Sequence, residues 1–166
     1  FNAVIGSGTD PARMVRDFDT ISVCLSKGLG APVGSVLVGD ADTISRSRRW
    51  RKTFGGGMRQ SGILAAAGIY ALENNIERLS EDHIRASRLA ESINAMDSFS
   101  VKLEGVQSNM VYVQCMEESA SEVARRLAEL GVDVSVETDS IVRAVAHLHI
   151  TDEDIDTAIE AFEKSQ

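Results

Sequence analysis

Cys24-Leu25-Ser26-Lys27-Gly28-Leu29-Gly30-Ala31-Pro32-Val33-Gly34-Ser35 places one lysine between two apolar runs, and the reading of this stretch decides the fold. Upstream, Ile21, Val23 and Leu25 alternate through residues 19–25. Downstream, residues 34–38 form a second short β-branched run, so the spacing predicts two strands flanking a glycine-rich turn. Lys27 then stands at a strand end, where Ser26 and Gly28 leave its amine reachable and let a ligand approach the backbone. A surface lysine needs no such setting, although a Ser-Lys-Gly triplet alone is a weak signal. A lysine that forms a Schiff base must be neutral, so its surroundings have to lower an ordinary pKa of about 10.4.

Working outward, residues 40–52 read as a charged helix capped by Asp40 or Asp42, which Gly55-Gly56-Gly57 ends. Ile63, Ala66, Ala67 and Tyr70 then recur at helical spacing, predicting a buried helix of small side chains. A hinge at Asn74-Asn75 precedes a longer helix striped by Ile76, Leu79, His83, Ala86, Ala90 and Ile93, with Glu77, Glu81, Arg85 and Arg88 on its outer face. From Ser98 the period becomes two, at Val101 and Leu103 and again over residues 110–113. A helix on Val123, Leu127 and Leu130 follows, then a strand over residues 141–148. The last helix is striped by Ile155, Ala158, Ile159 and Phe162 and started by Thr151 with Asp154 three residues on. The order is that of an α/β protein with a first part over residues 1–74 and a small α/β domain, connecting helix included, over 75–166.

The 166 residues carry a formal charge of −8 with 43% hydrophobic and 25% charged residues, an ordinary globular composition. The acidic balance argues against nucleic acid, which is bound through basic surfaces. No apolar run is long enough for a membrane span and no signal peptide opens the chain, so a cytoplasmic protein is expected. Cys24 and Cys115, far apart in apolar runs, are expected to be buried reduced thiols, and no metal site is indicated.

The Cys24 to Ser35 stretch closely resembles the segment around the pyridoxal-phosphate lysine of low-specificity L-threonine aldolases. Arg51-Lys52 followed by Gly55-Gly56-Gly57-Met58-Arg59-Gln60-Ser61-Gly62-Ile63-Leu64-Ala65-Ala66-Ala67-Gly68 is similar to the stretch that comes next in that family. The likeness continues more loosely through Asn109-Met110 and Ile141-Val142-Arg143 to His147. It implies the C-terminal half of a fold-type I transferase-like fold: the end of the cofactor-binding domain, then the small domain. It also implies pyridoxal 5'-phosphate as cofactor, Lys27 as its covalent anchor, and cleavage of threonine or allo-threonine to glycine and an aldehyde. A different lyase reaction, β-elimination or decarboxylation, is open on the same scaffold, as is a catalytically incomplete binding or assembly module.

Within that resemblance Arg59, at the start of a helix, suits the cofactor phosphate, and Lys52 has a weaker claim to the same role. A capping or surface arginine is the alternative for Arg59. Arg48, Arg49 and Arg51 read as a solvated helix face. Arg143 shares a strand face with Val145 and His147, and its fork suits an α-carboxylate, the alternative being an Asp or Glu of this chain. Ala146 departs from an expected threonine. The base for the substrate hydroxyl is unassigned between His83, which belongs to an apolar stripe, and His147. The resemblance places the ring-stacking histidine, the aspartate under the ring nitrogen and the main phosphate loop before Phe1. The expected partners are therefore an amino-acid substrate, the N-terminal half of the same enzyme, and further copies in a homodimer or homotetramer.

Overall fold

The computed structural model describes residues 1–166, in two compact units: Phe1 with Ala3–Arg78, and Asn2 with Leu79–Gln166. The first contains α1 (Asn2–Ser7), α2 (Pro11–Val15), β1 (Thr20–Cys24), β2 (Ser35–Gly39), α3 (Ala41–Thr53) and α4 (Gly62–Asn74). β1 and β2 form an antiparallel pair in which Val23 faces Val36 and Cys24 faces Ser35, as the alternation on either side of the lysine turn predicts. The pair is the whole sheet, so both of its outer edges are unpaired.

Asp40 caps α3 by accepting from the Thr43 N–H at 2.7 Å, and these bonds hold its carboxyl below the usual value. The helix stops in a Schellman turn. Gly55 N–H donates to Lys52 O at 3.1 Å and Gly56 N–H to Arg51 O at 2.7 Å, with Gly55 at φ +86°. A side chain at Gly56 would meet the Arg51 carbonyl oxygen at 3.0 Å, so the glycine run is set by backbone geometry.

α4 buries a different face from the one its spacing suggests. Gly68 and Ala71 are buried, whereas Ile63 and Tyr70 are 85% and 63% exposed. Nearly every residue of Gly62–Leu72 is apolar or small, so periodicity does not select a face; the close approach of Leu25 at Gly68 does. A Cβ at Gly68 would lie 3.1 Å from the Leu25 side chain. The unit buries few large side chains, and Val36, Leu37 and Val38 of β2 are all more than two-fifths exposed, so neither face of the hairpin is covered.

The second unit has a core of its own. α5 (Leu79–Asn94), β3 (Phe99–Val101), β4 (Met110–Cys115), α6 (Ala120–Glu129), β5 (Ser135–Thr138), β6 (Ile141–Val145) and α7 (Asp152–Lys164) build an antiparallel sheet in the order β3-β4-β6-β5. Phe99, Val101, Val111, Val113 and Val142 share one core with Leu89 and Ile93 of α5, Val123 and Leu127 of α6, and Ile155 and Phe162 of α7. The alternate strand residues Met110, Tyr112 and Val145 are exposed, so the helices cover a single face of the sheet. Phe162 is fully buried against Phe99, ring centroids 5.2 Å apart and nearly perpendicular, and burial of such a ring is worth about 1.5–3 kcal/mol. Thr151 and Asp154 form the capping box of α7 read from the sequence.

Several expectations need correction. α5 begins at Leu79 rather than Ile76, and its buried stripe takes in Asp82 while His83 is only half-buried. Arg85 and Arg88 are not a free outer face, since they pair with Asp152 and Asp156 of α7. Leu103 leaves the strand for a short 3-10 turn over Leu103–Gly105. β5 was not legible at all: Ser-Val-Glu-Thr has one apolar residue and is exposed throughout, so no burial pattern marks it. Cys24 and Cys115 are free thiols, but only Cys115 is buried.

Candidate functional site

The turn that carries Lys27 is held from beneath. Gly30 N–H donates to Lys27 O at 2.8 Å, Ala31 N–H to Leu25 O and Leu25 N–H to Gly34 O, both at 3.0 Å. Gly30 and Gly34 take positive φ values of 71° and 109°, which let ten residues double back between adjacent strands. Leu25, Leu29 and Ala31 are buried under the turn, and Asn75 at the end of α4 donates to Leu29 O at 2.7 Å. Lys27 itself is exposed and makes no ion pair. Beside it the Cys24 thiol lies 3.6 Å from the Ser26 hydroxyl, and hydrogen bonding from Ser26 with the nearby Lys27 charge lowers the thiol pKa.

Lys52 and Arg59 flank the glycine turn in sequence. The Lys52 side chain lies against Gly57, where a Cβ would be 2.8 Å from its Nζ and would push the flexible amine aside. Arg59 is exposed, precedes Gln60 at φ +49°, and leads into α4, whose N-cap Ser61 makes no side-chain cap. Neither cation has a carboxylate partner. These features fit a phosphate: two free cations at a turn where backbone replaces side chains, next to an uncapped helix start. The Lys27 amine fits an aldehyde. No hydrogen bond or ion pair joins Lys27 to Lys52 or Arg59.

Arg143 lies in the second unit, on the uncovered face of the sheet, with Tyr112 and Ser135 as its cross-strand neighbours. Its Nη1 is 3.1 Å from Glu137 Oε1, so the internal partner that the sequence left open exists; both side chains are about one-third exposed. Arg143 Nε is buried without a partner. Sequence reasoning missed Glu137, because β5 carries no pattern that would reveal it.

The end of β6 is clamped. Buried Asn109 donates from its side chain to Ala146 O at 2.8 Å, while Ala146 N–H donates to Asn109 O at 2.9 Å. The Ala146 methyl points into the core, so the position packs and makes no contact on the Arg143 face. His147 is exposed, and its Nδ1 accepts the His149 N–H at 3.3 Å, which places the neutral ring's proton on Nε2. That tautomer presents a donor, not a base. His83 is half-buried, and its pKa is lowered by loss of hydration against the opposing pull of Asp82. A cavity of about 330 Å³ lined by Leu89, Ala144, Ala146, Ile155 and Phe162 lies on the helix-covered side of β6, away from the Arg143 face.

A lysine turn closing an antiparallel hairpin, followed by an α/β unit with helices on one face, is the arrangement of fold-type I pyridoxal-phosphate enzymes. A putative L-allo-threonine aldolase of Listeria monocytogenes superposes with a TM-score of 0.81 at 20% identity, over 99% of this chain and 49% of that one. The serine palmitoyltransferase of Sphingomonas wittichii does so at 0.72 and 18% identity, over 93% and 41%. The chain belongs to the beta-eliminating lyase family, which it matches over residues 1–116. Among curated relatives, the probable low-specificity L-threonine aldolase 2 of Arabidopsis thaliana is 41% identical over 99% of this chain and 47% of its own length. The low specificity L-threonine aldolase of Escherichia coli K12 is 44% identical over 93% and 45%. The chain thus spans about half the length of the curated relatives it matches. No helix is long and apolar enough to cross a membrane.

Proposed function

We propose that this chain is the C-terminal half of an enzyme that cleaves L-threonine and L-allo-threonine between Cα and Cβ, giving glycine and acetaldehyde. Residues 1–74 then belong to the cofactor-binding domain and 75–166 to the small domain. The observation that carries the reading is the Lys27 turn: an unpaired amine, presented by a glycine-bent and internally pinned backbone, within a chain 41–44% identical to threonine aldolases.

Pyridoxal 5'-phosphate, when bound, supplies a conjugated ring that takes up the electron pair released as the Cα bond breaks. Lys27 would hold it covalently through its amine. Lys52 and Arg59 are the cations that would balance the phosphate charge. Arg143 would receive the substrate α-carboxylate through its guanidinium fork. His147 Nε2–H is available as a hydrogen-bond donor near the same strand end.

The partner this reading requires is the rest of the same enzyme. Val36, Leu37 and Val38 exposed on a two-stranded sheet, with Phe54 and Ile63 more than four-fifths exposed, make an apolar surface that isolated proteins avoid. Full-length protein is expected as a homodimer or homotetramer, with Arg59 exposed enough to serve a neighbouring copy. The test is glycine release from threonine by the full-length, cofactor-loaded protein, with the cofactor's visible absorbance as second readout. Lys27→Ala is expected to lose both. Unchanged glycine release by that variant overturns the reading.

A further inference from the structure

Glu137 occupies an irregular position. Along β5, Ser135 faces Arg143 and Val136 faces Val142, but Thr138 already faces Ile141, so Glu137 is the extra residue of a bulge with no partner across the ladder. Glu137 follows Ser135, the cross-strand neighbour of Arg143, by two residues, and its Oε1 lies 3.1 Å from Arg143 Nη1. The contact involves one oxygen and one nitrogen. Arg143 Nε remains buried without an acceptor, although a guanidinium edge is shaped for two oxygens at once. Glu137 thus takes one of the two terminal nitrogens, and the end-on fork of Nη1 and Nη2 is half used.

We infer that Glu137 is the resident carboxylate of Arg143, an internal competitor that the α-carboxylate of an amino-acid substrate displaces, and that it thereby sets substrate affinity. The inference rests on the assignment of Arg143 to the substrate carboxylate. A free amino acid offers two oxygens from one rigid group and can span Nη1 and Nη2 together, whereas Glu137 takes Nη1 through one oxygen. Displacement leaves the Glu137 side chain in water at an exposed sheet edge, where a carboxylate is at little disadvantage, so the exchange is close to balanced. A site built this way binds amino acids loosely and releases glycine readily.

The experiment uses full-length, cofactor-loaded protein. Glu137→Gln keeps shape and removes charge, and exposed ion pairs are weak, so the Kd for glycine and the KM for threonine are each expected to fall about two- to fivefold. The change should fall on KM and not on kcat. As a readout independent of turnover, the Arg143 Nε–H resonance is followed during glycine titration; its shift should be half complete at a lower glycine concentration in the variant. Glu137→Thr, with a side chain suited to an edge strand, is the second variant and should move both quantities in the same direction. Affinity that is unchanged or weaker in both variants overturns the inference and makes Glu137 a support for Arg143. Arg143→Ala separates the two levels: if it leaves the glycine Kd unchanged, the assignment of Arg143 itself fails.

Discussion

Replacing Asn109 by alanine tests how the small unit fixes the strand that carries Arg143. The Asn109 side chain is buried and donates to the Ala146 carbonyl at 2.8 Å, and no other group in the chain takes that oxygen. Deleting the amide removes a hydrogen bond and strands a carbonyl among apolar neighbours, a cost of about 1–3 kcal/mol. The returning bond from Ala146 N–H to Asn109 O is backbone to backbone and survives the substitution, but it is the last rung holding this end of β6. Local opening at residue 146 should therefore become about five- to a hundredfold more frequent, read as loss of hydrogen-exchange protection at the Ala146 amide. Arg143 sits between Tyr112 and Ser135 with ladders on both sides, so amides at 142 and 143 should keep their protection. Asn109→Asp sharpens the test. An ionised aspartate has no donor for Ala146 O and faces it with charge, so its folded-state pKa is raised. Its deficit should be largest at neutral pH and shrink on acidification, as the protonated acid regains a donor. Unaltered protection at Ala146 in Asn109→Ala, or a pH-independent Asn109→Asp, refutes the clamp.

Thr151→Ala should cost about 1 kcal/mol by removing the capping box of α7. The Thr151 backbone N–H, which the substitution keeps, and secondly its hydroxyl hold the Asp154 carboxyl below its ordinary 3.8; the hydroxyl's share is present above that value, is lost as pH falls through the lowered pKa, and is what the variant lacks. Acid unfolding of the variant should accordingly be less steep than that of the parent. Gly55→Ala forces a side chain into φ +86° and should cost about 1–2 kcal/mol, seen as fraying of the last turn of α3 and weaker phosphate binding near Lys52. Arg85, mostly buried and 2.8 Å from Asp152, should lose more stability on change to alanine than half-exposed Arg88, by about 1 kcal/mol in denaturant unfolding.

The sequence determined by itself what depends on local chemistry. Alternation on both sides of Lys27 marks the hairpin, Asp40 and Thr151 announce the starts of α3 and α7, and consecutive glycines stop a helix, because each effect acts within a few residues. The tertiary structure alone decided what depends on neighbours distant in the chain. α4 is apolar all round, so its buried face is chosen by Leu25 closing on Gly68 and not by spacing. β5 has no apolar pattern and is a strand only because β6 offers it an edge. The turn that presents Lys27 was legible because it is built from its own neighbours. The partner of Arg143 was not, because it lies on a strand without a pattern, and only the folded sheet brings Glu137 and Arg143 together.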